Sequence, residues 1–345
     1  MLDRADVPLA PLTTLRLGGR ARRLVTAYDE ASAVEVVRAA DAAGEPLLVL
    51  GGGSNVVLPD AGFDGTVLRL AVHGLSGQVD KGRVLLTAGA GEDWEPFVAL
   101  CVADGLVGVE ALSGIPGSVG ASVVQNIGAY GQDVSQTVVG VRAYDRTSRS
   151  VQDLTDFDFA YRHSRFKAEP GRWVVLSVTF ALTSGELSAP VAYAELARRV
   201  GVEVGERAPL AAVREAVLEL RRGKGMVLDA ADPDSRSAGS FFTNPVLSAS
   251  AFADLQARVD GDVPHWPEGE RVKVSAAWLI ERAGFGKGSF EGPVGISSKH
   301  TLALVHRGGG TTADLVRVAR AVQDGVREAF GVELGPEPVV VGGGL

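Results

Sequence analysis

Apolar positions recur along the chain with two different spacings, and together they predict an α+β architecture. In residues 31–44, "ASAVEVVRAADAAG", apolar residues recur three and four positions apart and a glycine closes the run, which predicts an amphipathic helix. The next run, "PLLVLGGG", predicts a buried strand that ends in a glycine loop. Short strands are predicted at "GTVLRL" and "RVLLTAGAG", and a helix at "WEPFVALCVADGL" with Asp93 as its N-cap.

Strand patterns dominate the middle of the chain and helical patterns dominate its last third. The middle strands are predicted at "VVGVRAYD", "SRSVQDLT" and "RWVVLSVTFAL". Helices are predicted at residues 208–222, at "SAAWLIERAG" and at "TTADLVRVARAVQDGVREAFG", and a final strand at "VELGPEPVVVG". We expect a domain boundary between residues 200 and 225, where the sheet-like pattern gives way to helix and loop.

The glycine loop after the first buried strand has the composition of an anion site. Gly51, Gly52 and Gly53 precede Ser54 and Asn55, so successive backbone N–H groups lie close together without side chains between them. Such a nest attracts phosphate oxygens. The loop matches neither the dinucleotide fingerprint G-x-G-x-x-G nor a Walker loop, and a tight structural turn is an equal alternative.

A second glycine-rich segment, residues 111–134, changes that balance. It reads "ALSGIPGSVGASVVQNIGAYGQDV" and carries five glycines: Gly114, Gly117, Gly120, Gly128 and Gly131. Two segments so poor in side chains, about sixty residues apart, favour a ligand with more than one phosphate, such as a dinucleotide cofactor.

Three polar positions stand out as candidates for chemistry. Arg162 lies in "AYRHSRFK", which is either a solvated strand edge or a site where arginine holds a carboxylate through two hydrogen bonds. Ser240 lies in "SAGSFFTNP", where it is either a turn residue or a proton donor in an apolar loop. Glu337 lies between two prolines, in either a stiff exposed turn or a pocket that holds its carboxylate rigidly.

Composition and charge narrow the classes of function. The 345 residues suffice for two or three domains, and a net charge of −8 argues against a general nucleic-acid binder. Cys101 is the one cysteine, so neither an intramolecular disulfide nor a cysteine zinc cluster is possible, and the five histidines lack metal-ligand spacing. We expect no metal site. The absence of a signal peptide and of an 18-residue apolar run predicts a cytoplasmic protein that does not insert into a membrane.

Eight motifs in order carry a resemblance to a known family. They are "TTLRLGG", "LGGGSN", "SGIPGSVG", "QNIGAYG", "YRHSRFK", "SAGSFFTNP", "AAWLIERAG" and "PEPVVVG". Each is only suggestive, but their order and spacing, from about residue 12 to the last strand, resemble the UDP-N-acetylenolpyruvoylglucosamine reductases. "YRHSRFK" and Tyr193 in "APVAYAEL" resemble the class of this family that closes a tyrosine loop over its substrate.

The resemblance implies a fold and a cofactor. The fold is α+β, with an FAD-binding module of the vanillyl-alcohol-oxidase (PCMH) type. Its first subdomain would span residues 1–70, completed by a C-terminal strand in 331–345, its second 71–222, and a smaller α+β substrate-binding domain 223–330. FAD would be bound non-covalently, at Gly51, Gly52, Gly53, Ser54, Asn55, Ser113, Gly114, Ile115, Pro116, Gly117, Gly120, Asn126, Gly128, Ala129 and Tyr130.

The resemblance also implies a reaction and its residues. NADPH would be the hydride donor, and the enolpyruvyl ether of UDP-N-acetylglucosamine would be reduced to UDP-N-acetylmuramate for peptidoglycan synthesis. Arg162 would hold the substrate carboxylate and Ser240 would donate the proton. Glu337 would be a second polarising residue, either protonated or hydrogen-bonded so as to orient Arg162. Expected substrate-binding positions are Tyr193, Lys224, Asn244, Trp266, Lys273 and Thr301, in a protein that acts as a monomer on small molecules.

Two alternative functions remain open at this point. One is a different FAD-dependent oxidoreductase of the same superfamily, many of which tether FAD through a histidine or cysteine. The glycine loops contain neither residue, and Cys101 lies on a predicted buried helix. The other is a sugar-nucleotide-binding module without catalysis, which would not need both the flavin loops and the set of Arg162, Ser240 and Glu337.

Overall fold

Strands outnumber helices in the first half of the chain, and the longest strand, Trp173–Ser184, lies in the middle of the chain. The computed structural model describes residues 1–343 and 345. In chain order its strands are β1 (Leu2–Pro8), β2 (Arg20–Ala27), β3 (Leu47–Leu50), β4 (Val56–Val57), β5 (Phe63–Leu70), β6 (Leu75–Asp80), β7 (Arg83–Gly89), β8 (Leu106–Val107), β9 (Gly128–Ala129), β10 (Gln132–Asp133), β11 (Val138–Asp145), β12 (Ser150–Leu154), β13 (Trp173–Ser184), β14 (Val246–Leu247), β15 (His265–Glu268), β16 (Arg271–Val274), β17 (Val294–Ile296), β18 (Leu304–His306) and β19 (Val339–Val340).

Most of the helices are short, but the first, the sixth and the last are long and amphipathic. In chain order they are α1 (Glu30–Ala43), α2 (Trp94–Ala103), α3 (Val119–Gln125), α4 (Arg165–Ala168), α5 (Ala194–Val200), α6 (Leu210–Gly223), α7 (Ala249–Gln256), α8 (Ala276–Arg282) and α9 (Thr312–Phe330). Short 3-10 helices occur at Ala10–Leu12, Glu110–Leu112, Val134–Gln136 and Pro233–Ser235. None of the helices in residues 1–343 and 345 combines the length and apolarity that crossing a membrane requires.

The chain divides into two compact units. Unit 1 comprises Met1–Val7, Ala21–Gly53 and Phe63–Arg222, and unit 2 comprises Pro8–Arg20, Ser54–Gly62 and Gly223–Leu345.

Unit 1 is built on two sheets. The first has the strand order β1-β2-β5-β3, with β5 parallel to both β2 and β3, and it is packed by α1. Asp29 caps α1 by accepting from Ser32 N, and Gly44 ends it at φ +63°. The second sheet is antiparallel, in the order β12-β11-β13-β7-β6, and β8 pairs with the end of β13.

An aromatic cluster beneath the second sheet anchors the second glycine-rich segment. The rings of Trp94, Phe97 and Phe180 lie 5.0 to 5.9 Å apart and are buried. Burial of side chains of this size stabilises the fold by about 1.5–3 kcal/mol each. Trp94 Nε1 also donates to Leu112 O (3.1 Å), which fixes the chain one residue before Ser113.

Unit 2 packs its strands and helices around α9. The capping box of Thr311 and Asp314 starts this helix, and its buried face includes Leu315, Val318 and Val322. Phe241 and Phe242 belong to the same core. The short sheets here are β14-β16-β15, β17-β18 and the parallel pair β19-β4.

The elements predicted from periodicity are confirmed, with four differences. The strand predicted to be buried, β3, is only partly buried, since Leu50 is the one residue of its four that is buried. The helix predicted from residue 208 begins at Leu210, since Pro209 precedes it. Asp93 occupies the N-cap position of α2, but its side chain makes no capping hydrogen bond. The predicted length of the final strand is wrong. Within the predicted stretch, Val339–Val340 is the strand, because Pro336 and Pro338 have no N–H to donate to a ladder.

The three-part organisation expected from the resemblance stays a prediction. The last strand pairs with Val56–Val57, which lies within residues 1–70, and both strands belong to unit 2 together with residues 223–330. Residues 71–222 share one compact unit with most of residues 1–70, although each has its own sheet. A separation of these two parts into subdomains stays a prediction.

Candidate active site

In unit 1 the two glycine-rich segments meet backbone to backbone. A Cβ added at Gly52 would lie 2.7 Å from Gly117 Cα and 2.8 Å from its carbonyl carbon, and one added at Gly51 would lie 2.5 Å from Ser118 Oγ. Gly53 has φ +65°, a conformation that disfavours other residues. Gly51 and Gly52 are therefore required because the two loops approach too closely to leave room for a Cβ atom.

The contact leaves hydrogen-bond donors unused. In residues 1–343 and 345, the backbone amides of Gly52, Gly53, Gly117 and Ser118 donate to no acceptor. The Ser118 hydroxyl is buried and likewise has no partner among those residues. Because unused donors on two touching loops suit phosphate oxygens, these residues fit a ligand with a pyrophosphate.

A partly buried hydrogen-bond network fixes the start of the second glycine-rich segment. Glu95 of α2 accepts hydrogen bonds from Gly114 N and from Arg214 Nη2 of α6. Arg214 Nη1 donates to Ser113 Oγ (3.0 Å), and Ser113 Oγ donates in turn to Glu110 O (2.7 Å). Ser113 and Gly114 are thus fixed by two helices, and the half-buried Ile115 and Pro116 follow them in the loop.

Two other expected FAD positions have local structural roles. Gly120 lies on α3, where an added Cβ would be 2.6 Å from Ala90 Cβ, so it allows close helix packing. Gly128 and Ala129 form β9, which pairs with β10.

Arg162 lies at the corner of a tight turn. His163 N donates to Ala160 O (3.0 Å), which closes the turn, and Arg162 has φ +52°, where glycine is the usual residue. Its Nη2 donates to Gly128 O (3.0 Å), and Asn126 Nδ2 donates to Ala160 O (2.8 Å). The strained backbone is held from the second glycine-rich segment, and the guanidinium is directed by the same segment.

A second buried guanidinium, Arg221, was not predicted. It is 8% exposed and lies on α6, and burial lowers its pKa to about 10, so it stays charged at neutral pH. Electrostatic interactions with Tyr130 and Glu95 raise that pKa and the interaction with Arg162 lowers it, so Arg221 lies close enough to Arg162 for the two groups to interact. The signal was available: Arg221 follows Val213 and Val217 at intervals of four, on the apolar face of its helix.

Two tyrosines pair in the same unit. Tyr130, at φ +51°, and Tyr193 have ring centroids 5.5 Å apart in an edge-to-face arrangement. Tyr193 is 44% exposed and immediately precedes α5, so an aromatic edge faces solvent there.

In unit 2 the structure brings Ser240 and Glu337 onto neighbouring backbone segments. Phe241 N donates to Leu302 O (2.7 Å), and Phe241 O accepts from Glu337 N (2.8 Å). Gly239, at φ +73°, precedes Ser240 and turns the chain. The Ser240 hydroxyl makes no hydrogen bond within the described residues, so its proton is available to a ligand.

Asn55 supports the Glu337 segment. Its Nδ2 donates to Glu337 O (3.3 Å) and its carbonyl accepts from Val339 N (3.0 Å). Asn55 was expected to bind FAD together with Ser54, and in the structure its side chain braces a candidate catalytic segment.

The expected substrate-binding residues of unit 2 differ in their surroundings. Asn244 Oδ1 accepts from Ala276 N (2.9 Å) at the start of α8, which leaves its amide nitrogen as the group for a ligand. Trp266 and Lys273 are cross-strand partners in the β15–β16 hairpin, and Lys273 Nζ pairs with Glu268 (2.7 Å). Lys224 is half-buried in the segment after α6.

Among these positions, Thr301 is the one whose hydroxyl is buried and already hydrogen-bonded to another side chain. It is 2% exposed, and its hydroxyl donates to Glu281 Oε1 (2.6 Å). This engagement gives no support to a direct contact with substrate.

Cys101 belongs to the hydrophobic core of unit 1. Cys101 is fully buried on α2, where burial raises the pKa of its thiol to about 12. Across the described residues, no group of three or more His, Cys, Asp or Glu side chains is placed to hold a metal ion.

Comparison with known proteins identifies related sequences over nearly the whole chain. Residues 21–152 match an FAD-binding domain family, and residues 232–341 match the C-terminal domain of UDP-N-acetylenolpyruvoylglucosamine reductase. The chain is 56% identical to the UDP-N-acetylenolpyruvoylglucosamine reductase of Streptomyces coelicolor, covering 98% of this chain and 90% of that protein. Identity to the protein of that name from Thermobifida fusca is also 56%, covering 98% and 97%.

A solved structure extends the similarity to the fold. The UDP-N-acetylenolpyruvylglucosamine reductase of Thermus caldophilus superposes with a TM-score of 0.66 at 25% identity, over 98% of this chain and 99% of that one. Together with the FAD-binding domain match, this confirms the predicted α+β fold of the vanillyl-alcohol-oxidase (PCMH) type.

Proposed function

The chain belongs to the UDP-N-acetylenolpyruvoylglucosamine reductase family, and from this premise we propose how its own residues share the work of the reaction. It is an oxidoreductase that uses FAD and NADPH to reduce UDP-N-acetylglucosamine enolpyruvate to UDP-N-acetylmuramate, a step of peptidoglycan precursor synthesis. Nothing in the comparisons favours a different flavin oxidoreductase or a non-catalytic sugar-nucleotide module.

The contact between the two glycine-rich loops is the observation that carries the cofactor assignment. The unused amides of Gly52, Gly53, Gly117 and Ser118 would hold the FAD pyrophosphate, and Gly51 gives the loops room to meet. Bound FAD supplies the site with a two-electron carrier that takes hydride from NADPH and passes it to the substrate. The loops contain no histidine or cysteine, which supports non-covalent binding.

Arg162 is the proposed ligand of the substrate carboxylate. Hydride addition to the terminal carbon of the enolpyruvyl group places negative charge on the adjacent carbon, and this charge spreads into the carboxylate. A guanidinium fixed before the reaction stabilises that charge without reorganising, a role worth about 10²–10³ in rate for a single donor. The strained turn and the bond to Gly128 O support such a fixed orientation.

Ser240 is the proposed proton donor. Its Oγ–H would protonate the carbon next to the carboxylate and then regain a proton from solvent, so the net reaction consumes one proton and one hydride. A serine hydroxyl is a weak acid, but the carbon it protonates is a strong base, so the transfer is downhill. Backbone hydrogen bonds at Phe241 support a fixed position for the neighbouring hydroxyl.

Glu337 is proposed to polarise the substrate carboxylate, either as a neutral acid or as a hydrogen-bonded group that orients Arg162. A charged carboxylate that faced the anionic substrate directly would repel it, which is why these two forms are proposed. Its backbone lies next to that of Ser240 and is braced by Asn55, which supports a rigid carboxyl position.

The uridine diphosphate part of the substrate is assigned to polar and aromatic groups of the two units, each described by its own surroundings. Lys224, Lys273 and the amide nitrogen of Asn244 would bind phosphate oxygens, and Tyr193 and Trp266 would cover the ligand with partly exposed rings. Thr301 is retained with the least support, since its hydroxyl already binds Glu281.

We also propose that the protein acts as a monomer in the cytoplasm. Its substrates are small molecules, and neither nucleic acid binding nor membrane insertion is proposed. The net charge of −8 supports the first exclusion, because phosphate backbones bind basic surfaces.

Turnover with defined substrates tests this assignment. The purified protein, supplied with FAD, should oxidise NADPH only when UDP-N-acetylglucosamine enolpyruvate is present, with one UDP-N-acetylmuramate formed per NADPH. Nicotinamide oxidation that proceeds equally with oxygen alone, without the sugar product, would instead indicate a different flavin oxidoreductase.

A further inference from the structure

Segment 124–128 holds the Arg162 turn through hydrogen bonds at every second residue. The three bonds join Ser164 Oγ to Val124 O (2.7 Å), Asn126 Nδ2 to Ala160 O (2.8 Å) and Arg162 Nη2 to Gly128 O (3.0 Å). The turn is therefore fixed at its start, at its corner and at its end by one short stretch of the second glycine-rich segment.

Asn126 makes the middle one of these three hydrogen bonds, and its backbone conformation suits an asparagine. It ends α3 in the left-handed conformation, at φ +42°, which asparagine tolerates better than most residues. It is 3% exposed, and its Nδ2 faces the same carbonyl that closes the turn, Ala160 O. Its Oδ1 is buried and has no hydrogen-bond partner among residues 1–343 and 345, so the donor end of the amide is the end that is used.

The turn needs such support because its backbone is strained. Arg162 holds φ +52°, a conformation that typically costs a non-glycine residue about 1–3 kcal/mol. Without the bond from Asn126, the bond from His163 N would be the one hydrogen bond left on the Ala160 carbonyl among residues 1–343 and 345. The turn could then relax, and the guanidinium would move with it.

We propose that Asn126 is a positioning residue for Arg162. By fixing the turn, Asn126 holds the Arg162 guanidinium where the substrate carboxylate binds. This differs from the expectation that Asn126 contacts FAD, and it rests on the proposed role of Arg162. Asn126 touches neither substrate nor reacting atoms in this account, and it acts through the Ala160 carbonyl.

Two substitutions separate the hydrogen bond from the backbone conformation. Asn126→Gly keeps the left-handed conformation and removes the donor, whereas Asn126→Asp keeps the shape and turns an acceptor toward Ala160 O. Lys81→Gly is the matched control, because Lys81 is an exposed residue of unit 1 at φ +47° in the connection between β6 and β7.

Each variant is purified with FAD and compared in three measurements: FAD content, equilibrium binding of UDP-N-acetylmuramate, and the rates of the two half-reactions. Both Asn126 variants should keep full FAD content and a near-normal rate with NADPH. They should slow the half-reaction with the enolpyruvyl substrate about 10- to 100-fold, the cost expected when a catalytic group is displaced by about 1 Å. Product binding should weaken several-fold, and Lys81→Gly should change none of these values.

Two results would overturn the proposal. One is loss of FAD together with equal damage to both half-reactions, which would assign Asn126 to the cofactor. The other is unchanged behaviour of both variants while Arg162→Ala is severely impaired, which would remove Asn126 and keep the function proposed for Arg162. If Arg162→Ala is also unaffected, the role of Arg162 itself fails.

A variant at the end of the turn gives an independent reading if the Asn126 variants fold poorly. Ser164→Ala removes the bond to Val124 O and also the N-cap bond that Ser164 Oγ accepts from Lys167 N at the start of α4, and it keeps Asn126 intact. It should show the same selective loss in the enolpyruvyl half-reaction, to a smaller degree. A uniform loss in both half-reactions would contradict the positioning role.

Discussion

Ser240 shows how a weakly acidic side chain can be fixed by its neighbours. The chain turns at Gly239, and the backbone of Phe241 is bonded on both sides, to Leu302 O and to Glu337 N. The serine between them has little backbone freedom, while its hydroxyl is left for the ligand.

Replacing Ser240 by alanine should remove the proton donor without removing the hydride. Ser240→Ala should reduce FAD with NADPH at a normal rate, and should slow reoxidation by the enolpyruvyl substrate by about 10²–10⁴, the usual worth of a positioned acid. Rapid mixing under anaerobic conditions measures both rates.

Ser240→Cys is the matched control, because a thiol in the same position can still donate a proton. It should recover part of the lost rate. Equal damage to both half-reactions in Ser240→Ala, or an alanine variant as fast as the parent protein, would contradict the assignment.

At the scale of elements, the loop after β3 and the loop before α3 are defined by their contact. The Cβ positions at Gly51 and Gly52 are already filled by the opposing loop. Each glycine is required here by the other loop, which is a different need from the positive φ of Gly53.

Gly52→Ala should therefore push the loops apart and weaken FAD binding. A Cβ at 2.7 Å from Gly117 Cα meets backbone, which cannot swing aside as a side chain can. We expect purified Gly52→Ala to hold markedly less FAD, measured as the ratio of flavin absorbance to protein, with unchanged far-ultraviolet circular dichroism.

Gly77→Ala is the control, since a Cβ there would be 3.8 Å from Leu86 Cδ1, an ordinary contact on a strand of the same unit. It should bind FAD as the parent protein does. Full flavin content in Gly52→Ala would contradict the assignment of this loop contact to the cofactor.

Hydrophobic spacing alone predicted most elements because the long helices bury one face and the long strands carry runs of buried apolar residues. The helices α1, α6 and α9 and the strands β11 and β13 were predicted on this basis. The final strand was not predictable from apolar content, since two prolines around Glu337 remove the donors that a ladder requires.

Contacts across long sequence distances could not be predicted from spacing. The composition of the two glycine loops identified them as unusual, but it did not predict that the loops touch each other. Likewise, Asn126 and Asn55 lie in motifs that suggested FAD contacts, while their side chains brace the segments of Arg162 and Glu337. Arg221 was not predicted because arginine in a helix usually faces solvent, whereas this one is buried on the same face as Val213 and Val217.

At the scale of the whole molecule, the candidate residues are distributed over both compact units. Unit 1 holds the touching glycine loops, the Arg162 turn and the tyrosine pair, and unit 2 holds Ser240, Glu337 and the expected substrate ligands. The family resemblance read from eight short motifs is confirmed by relatives at 56% identity over nearly the full chain.

The central claim is that this chain carries FAD and passes hydride from NADPH to an enolpyruvyl ether in two separable steps. The most direct test is an absorbance spectrum of the purified protein under anaerobic conditions, followed by NADPH and then by UDP-N-acetylglucosamine enolpyruvate. The account predicts a flavin band that bleaches with NADPH and returns in full with the sugar nucleotide. A protein that takes up no flavin even from added FAD, or a bleached flavin that the sugar nucleotide does not restore, would contradict it.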